Sequence, residues 1–194
     1  KSLEDYKGIA ATLNKAAAAF KAVGIEFGYH NHDFEFQPLE GKLPMDILLA
    51  ETDPKLVKLE LDLYWVVKAK QDPLAFMTKN PGRVVAFHVK DMAKDKEIFA
   101  EVGRGRIDFK PLLAHGAKTG VKYYFVEQDQ CPGSPLDSIK ISFDFSDEVD
   151  RLEIGRMWSA SWEDAMRRCV AFRTSGAPEA RGVFDMHFPE MLQD

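Results

Sequence analysis

Apolar residues recur with helical spacing at the start of the chain, where Tyr6, Ile9, Leu13, Ala17 and Phe20 share one face. Ser2 stands at an N-cap with Asp5 three residues on, and Gly24 follows the last turn. With the alanine run 16–19, this predicts a helix over 2–23. Ile25–Asn31 reads as a strand, and polar residues through Gly41 read as a loop. A second helix spans Pro44–Glu51, opened by proline and broken at Thr52-Asp53-Pro54. Leu56–Val67 is β-rich, with alternation at Leu59, Leu61 and Leu63, and predicts a long second strand. Asp72-Pro73 opens a short helix, Pro73–Lys79, which Asn80-Pro81-Gly82 stops. Arg83–Val89 is the third strand. A charged, irregular stretch leads to a helix from about Asp108 to Thr119, closed by Gly120, and Val121–Glu127 is the fourth strand. This helix–strand alternation predicts an α/β chain with a parallel sheet.

Each apolar run finishes on side chains that bind metals. The four runs are GYHNHDFEF at 28–36, LELDLYW at 59–65, VVAFHVKD at 84–91 and YYFVEQD at 123–129. They present His30, His32 and Glu35, then Asp62, His88 and Glu127. The ligand intervals are 30, 26 and 39 residues (32 to 62, 62 to 88, 88 to 127). One βα unit of an eight-unit barrel of ~250 residues takes about 30. Strands of a (β/α) barrel all run one way, so residues at their C-terminal ends converge on one mouth. Imidazoles and carboxylates meeting there predict one divalent ion of Mn, Mg, Co or Zn type.

Composition narrows the reading. The 194 residues suffice for one domain with a sizeable core, and 45% hydrophobic with 29% charged residues is the balance of a globular protein. A net charge of −5 argues against a nucleic-acid partner. No apolar run approaches the ~20 residues that span a bilayer, so no membrane partner is expected. Cys131 and Cys169 form no C-x-x-C pair and demand no oxidising compartment, which favours a cytoplasmic protein. Lys1 stands already inside a helical pattern, so an upstream segment is expected.

The runs YHNHDFEF, LELDLYWV, HVKDM, GRGRIDF and VEQDQ…SPLDSI, in this order, resemble the xylose-isomerase-like barrel superfamily of sugar phosphate isomerases and epimerases. The pattern is similar to the branch with inosose-dehydratase-like and keto-sugar lyase-like enzymes. The resemblance covers residues 1–145 and implies the C-terminal half of a (β/α)8 TIM barrel, with four more βα units before Lys1. It implies a metal held by Asp62, His88 and Glu127. The family's fourth ligand, a glutamate on the first strand, falls at Gly28 or just after it, so His30 or His32 stands in or Glu35 reaches back. His30 and His32 are two apart in a strand and point the same way.

The chemistry implied is isomerisation or epimerisation of a sugar or sugar phosphate. A metal polarises a carbonyl, a neighbouring C–H loses its proton, and an enediolate forms. Glu127 is the ligand and base, and His32 or His30 the opposing acid or base. Lyase or dehydratase chemistry on a keto-sugar or inosose is the alternative. An open half-barrel has exposed edges, so a homo-oligomer, a missing N-terminal half or an inactive accessory fragment is a further reading. Residues 146–194 read as a mainly helical or irregular tail outside the family, chimeric or frame-shifted. "DMHFPEMLQD" resembles a sulfotransferase piece, without the phosphate loop that activity needs.

Plainer readings stand beside these. Asp62 alone could cap backbone amides, and His88 alone could be a core histidine. Glu35 reads as a solvated loop residue or one behind the site. Lys90-Asp91 is either a surface pair, or Lys90 orients substrate. Trp65 is either a wall for a sugar face or packing. Gly103-Arg104-Gly105-Arg106 is either an anion nest whose glycines and guanidiniums meet substrate, or a turn before a helix capped by Asp108.

Overall fold

The computed structural model describes residues 2–151, with side chains through Ser146. Helix α1 is Leu3–Ala22, α2 Pro44–Glu51, α3 Leu63–Lys68, α4 Pro73–Lys79, α5 Phe109–Thr119 and α6 Pro135–Arg151. Strands are β1 Phe27–His30, β2 Val57–Asp62, β3 Val84–Val89, β4 Asp91–Met92, β5 Phe99–Ala100 and β6 Tyr123–Val126. Strands β1, β2, β3 and β6 form one sheet in that order, all parallel. This is the four-stranded partial α/β barrel that the alternation predicts.

The start and stop signals act as the sequence implies. Ser2 and Asp5 close a full capping box on α1. Asp72 accepts from Leu74 N and Ala75 N at the head of α4. Gly120 ends α5 with φ 97°, the left-handed region that favours glycine. The expected strand over 56–67 is different: β2 stops at Asp62 and α3 begins at Leu63. The cause is local, because Asp62 accepts the Trp65 N–H and caps α3. Leu63 is buried all the same, from a helix rather than a strand. The expected loop before Gly41 contains a 3₁₀ turn, Phe34–Phe36, with Glu35 and Phe36 buried.

Strand alternation divides the sheet. Leu59, Leu61, Phe87 and Val89 enter the main core with Met45 of α2, Met77 of α4 and Leu112 and Leu113 of α5. The other face carries His30, Glu60, Asp62, Ala86 and His88. In register, His30 lies opposite Glu60, Glu60 opposite Ala86, and Asp62 opposite His88.

This polar face is the concave one. A flat sheet would place β1 and β3 about 9.6 Å apart, yet the His30 and His88 rings are 4.1 Å apart. The edges also draw together, since Glu26 before β1 pairs with Lys122 before β6 at 2.9 Å. A flat four-stranded sheet would hold its edges about 14 Å apart. Both edge strands are half-open to solvent, as Tyr123 and Val126 on β6 show. Helix α6 continues through residue 145 to Arg151, and the rest of the expected tail lies outside the described residues.

Helix α5 sits close on β3 at Gly116, where an added Cβ would lie 2.7 Å from the Phe87 ring. Phe87 is fully buried against Tyr124 and has nowhere to turn. Gly116→Ala gains about 1 kcal/mol of helix propensity but incurs overpacking of about 1–3 kcal/mol. The expected net is a destabilisation of about 1 kcal/mol, read as a lowered urea midpoint with an unchanged slope.

Candidate functional site

The site is built on strand ends. Asp62 is fully buried, and its two oxygens point different ways. Oδ1 accepts the Trp65 N–H at 3.1 Å. Oδ2 lies 3.2 Å from His30 Nε2, 3.5 Å from Lys90 Nζ and 3.9 Å from His88 Nδ1. Asn31, also buried, accepts the Asp62 N–H at 2.9 Å and ties the end of β1 to the end of β2. His88 Nδ1 lies 2.6 Å from Glu127 Oε2. His30, Asp62 and His88 offer donor atoms all within 4.8 Å of one another.

Lys90 is the charge that holds the cluster together. It is 2% exposed and meets Glu127 at 3.0 Å and Asp129 at 2.9 Å as well as Asp62. Burial lowers its pKa, but the three carboxylates outweigh burial and raise it, so it is an ammonium. It is no surface residue. Burial likewise lowers the His88 pKa, and hydrogen bonds to Glu127 and Glu60 with their charge push it up to about 9. Burial raises the Glu127 pKa, and His88 and Lys90 pull it down to about 2.

These donors fit a divalent ion. Two imidazoles and a carboxylate suit a borderline metal, and ligand atoms around one ion with ~2.1 Å bonds stand about 3–4 Å apart. Three carboxylates, of Asp62, Glu127 and Asp129, face Lys90, and a fourth, of Glu60, faces His88, so the pocket favours a further cation. The proton that His88 holds up to about pH 9 is the smallest one. His32 stands beside this group: its ring is 5.1 Å from His30 and 5.4 Å from Trp65, and it stacks on Phe34.

Glu35 is fully enclosed, not solvated. It accepts the Tyr29 hydroxyl at 2.5 Å and the His32 N–H at 2.9 Å, and so fixes the turn that carries His32. Trp65 packs edge-on to Tyr64 and Phe99 with Lys90 5.6 Å from its ring, and its buried indole N–H meets no acceptor among the described residues. Glu60 was missed from sequence, although it lies 3.3 Å from His88 Nε2. The signal was present: Glu60 is two residues before Asp62 in a strand and must share its face.

The GRGR segment is a nest with its anion already inside. Asp91, 0% exposed, accepts from Met92 N at 2.7 Å, Gly103 N at 3.0 Å, Gly105 N at 2.9 Å and Ile107 N at 3.2 Å. The glycine amides therefore hold the loop, leaving none of this nest for substrate. Gly105 is obligatory, because a Cβ there would overlap the Asp91 carboxylate. Asp108 stands at the α5 N-cap without a side-chain capping bond. Arg104 and Arg106 are exposed; Arg106 leans on the Met92 sulfur, and Arg104 lies beside Glu101.

Comparison with known proteins agrees with this fold. The family described as the xylose isomerase-like TIM barrel matches residues 1–148, and the chain belongs to that family. The chain is 27% identical over 159 residues to an inosose dehydratase of Lactiplantibacillus plantarum, covering 72% of the chain and 52% of that protein. It is 30% identical over 155 residues to an inosose dehydratase of Clostridium tetani, covering 69% and 51%. A solved sugar phosphate isomerase/epimerase from Parabacteroides distasonis is 31% identical, with a TM-score of 0.67 over 76% of this chain and 55% of that one. The chain thus spans about half the length of the curated relatives it matches. Among the described residues, no helix is long and apolar enough to cross a membrane.

Two measurements test the site's construction. Asp91→Ala removes the anion from four N–H groups, so amides of 102–107 are expected to exchange hydrogen at least tenfold faster, while those of β2 and β3 keep their protection. The His88–Glu127 pair sets a pH window for the metal-free protein. His88 contributes stability below pH 6.5 that is lost as pH rises through about 9. Glu127 contributes stability above pH 4.5 that is lost as pH falls through about 2. Melting temperature should therefore plateau between about pH 4.5 and 6.5, and Glu127→Gln should flatten both limbs.

Proposed function

We propose that this site serves a divalent-metal-dependent sugar isomerase or epimerase that removes a proton next to a carbonyl. The observation that supports it most is the convergence of His30, Asp62 and His88 within 4.8 Å, with Glu127 on His88 and a buried Lys90 beside them. The ion would be held by Asp62, His88 and a histidine of the first strand, His30 being the nearer, with Glu127 adjoining. When bound, it polarises a carbonyl and acidifies the neighbouring C–H.

The chain's own groups divide the remaining work. Glu127 is ionised and accepts the proton once substrate draws Lys90 from it. Its low pKa belongs to the state in which both cations still bind it. Whichever of His32 and His30 does not hold the ion supplies the opposing acid or base, on the far side of the cluster from Glu127. Trp65 offers a flat face and an unused indole N–H to a sugar hydroxyl. Phe99 and Trp65 shield Lys90 from water, which strengthens its hold on a developing oxyanion. Arg104 and Arg106 stand on the neighbouring loop, within reach of a longer or phosphorylated substrate.

Loss of water from an inosose or keto-sugar is the second reading. It is favoured by Lys90, a fixed proton donor beside the base, as departure of hydroxide requires, and by the similarity to inosose dehydratases. Both readings share the first proton transfer. With Mn²⁺ in D₂O, deuterium is expected to enter the carbon beside the carbonyl of a ketohexose or a keto-inositol. A product one water lighter assigns the second reading. Asp62→Ala and Glu127→Ala should each abolish the exchange and the retention of Mn²⁺ on gel filtration. Wild-type protein that is folded and Mn²⁺-loaded yet exchanges no deuterium would overturn the proposal.

A further inference from the structure

We infer that Glu60 is the positioning carboxylate for His88: it accepts the Nε2–H and thereby presents the Nδ1 lone pair to the ion. The inference rests on the metal reading above. His88 has a carboxylate on each ring nitrogen. Nδ1 faces Glu127 Oε2 at 2.6 Å and Asp62 Oδ2 at 3.9 Å, which is the ligand side. Nε2 faces only one group among the described contacts, Glu60 Oε1 at 3.3 Å. Neutral imidazole carries one proton and one lone pair, so the nitrogen that keeps the proton decides which one can bind metal. An acceptor on Nε2 therefore fixes both the tautomer and the ring plane.

The fold holds Glu60 where this needs it. It is central in β2, with His30 as its register partner on one side and Ala86 on the other. The small Ala86 leaves the neighbouring position open. Gly28 on β1 contributes no side chain at the contact, since even a Cβ there would lie 3.9 Å from the Glu60 Cβ. Glu60 thus reaches His88 across an uncrowded stretch of the concave face, without entering the set formed by His30, Asp62 and His88. Asp62 cannot do the same work, because its free oxygen lies on the Nδ1 side.

The test uses the whole chain, Zn²⁺ as probe, and nitrogen-15 spectra of histidine. Wild type with Zn²⁺ should show His88 bound through Nδ1, with a protected Nε2–H. Glu60→Ala should weaken Zn²⁺ binding about 10- to 100-fold. Glu60→Gln keeps an acceptor oxygen and should restore binding to within about threefold of wild type. It also serves as the variant to read should Glu60→Ala not fold. Binding through Nε2 overturns the inference. So does a Glu60→Ala protein with affinity within threefold of wild type while Asp62→Ala abolishes binding. Zn²⁺ binding unaffected by Asp62→Ala overturns the metal reading itself, a distinct result.

Discussion

The carboxylate of Asp62 is the interaction on which the rest depends. One oxygen ends a strand and starts a helix by capping α3 at Trp65 N. The other gathers His30, Lys90 and His88 from two further strands. A buried carboxylate without partners would be costly, so those neighbours are a condition of the fold as much as of the chemistry. The same cap turns the chain sharply and brings Trp65 back over Lys90. Site and wall therefore share a single anchor, and neither can be moved without the other.

Charge balance carries the argument from fold to chemistry. The concave face gathers more carboxylates than its lysine can neutralise, and His88 answers by holding a proton well above its usual range. Replacing that proton with a divalent ion satisfies the same charges with greater field strength. A folded half of a barrel can retain this arrangement because the pairs lie within and between adjacent strands. Its two open edges, β1 and β6, are where a closed barrel would continue, in keeping with a match that spans about half the length of the relatives.

The elements that were legible in the sequence are those with local causes. Capping Ser2, the prolines at 44 and 73, and Gly120 each act within a turn of themselves, and those helices appear where the sequence puts them. Their places at strand ends put Asp62 and His88 at one mouth, and the structure brings them together with His30. What was not legible has tertiary causes. The strand over 56–67 breaks because Asp62 prefers capping to continuing, which hydrophobicity cannot register. Glu35 looks like loop polarity until Tyr29, six residues back and in the neighbouring strand, is seen to bond it. Glu60 sits in a run already singled out for its ligand, yet nothing but the pairing of β2 with β3 reveals its histidine.

Asp91 makes the same point for the loop. Glycines spaced as in GRGR signal amides open to an anion, and Asp91 is that anion. The anion comes from the same chain, one residue after Lys90, where sequence distance disguises contact. Its placement couples two tasks: Lys90 faces the carboxylates of the site, and the next side chain fastens the loop bearing Phe99 beside that lysine. Ser142 and Ser138 of α6 bind the same loop from its other side, through Val102 N and Glu101. The loop is therefore clamped before any substrate arrives. Such rigidity favours binding, because walls already in place need no ordering when a ligand arrives.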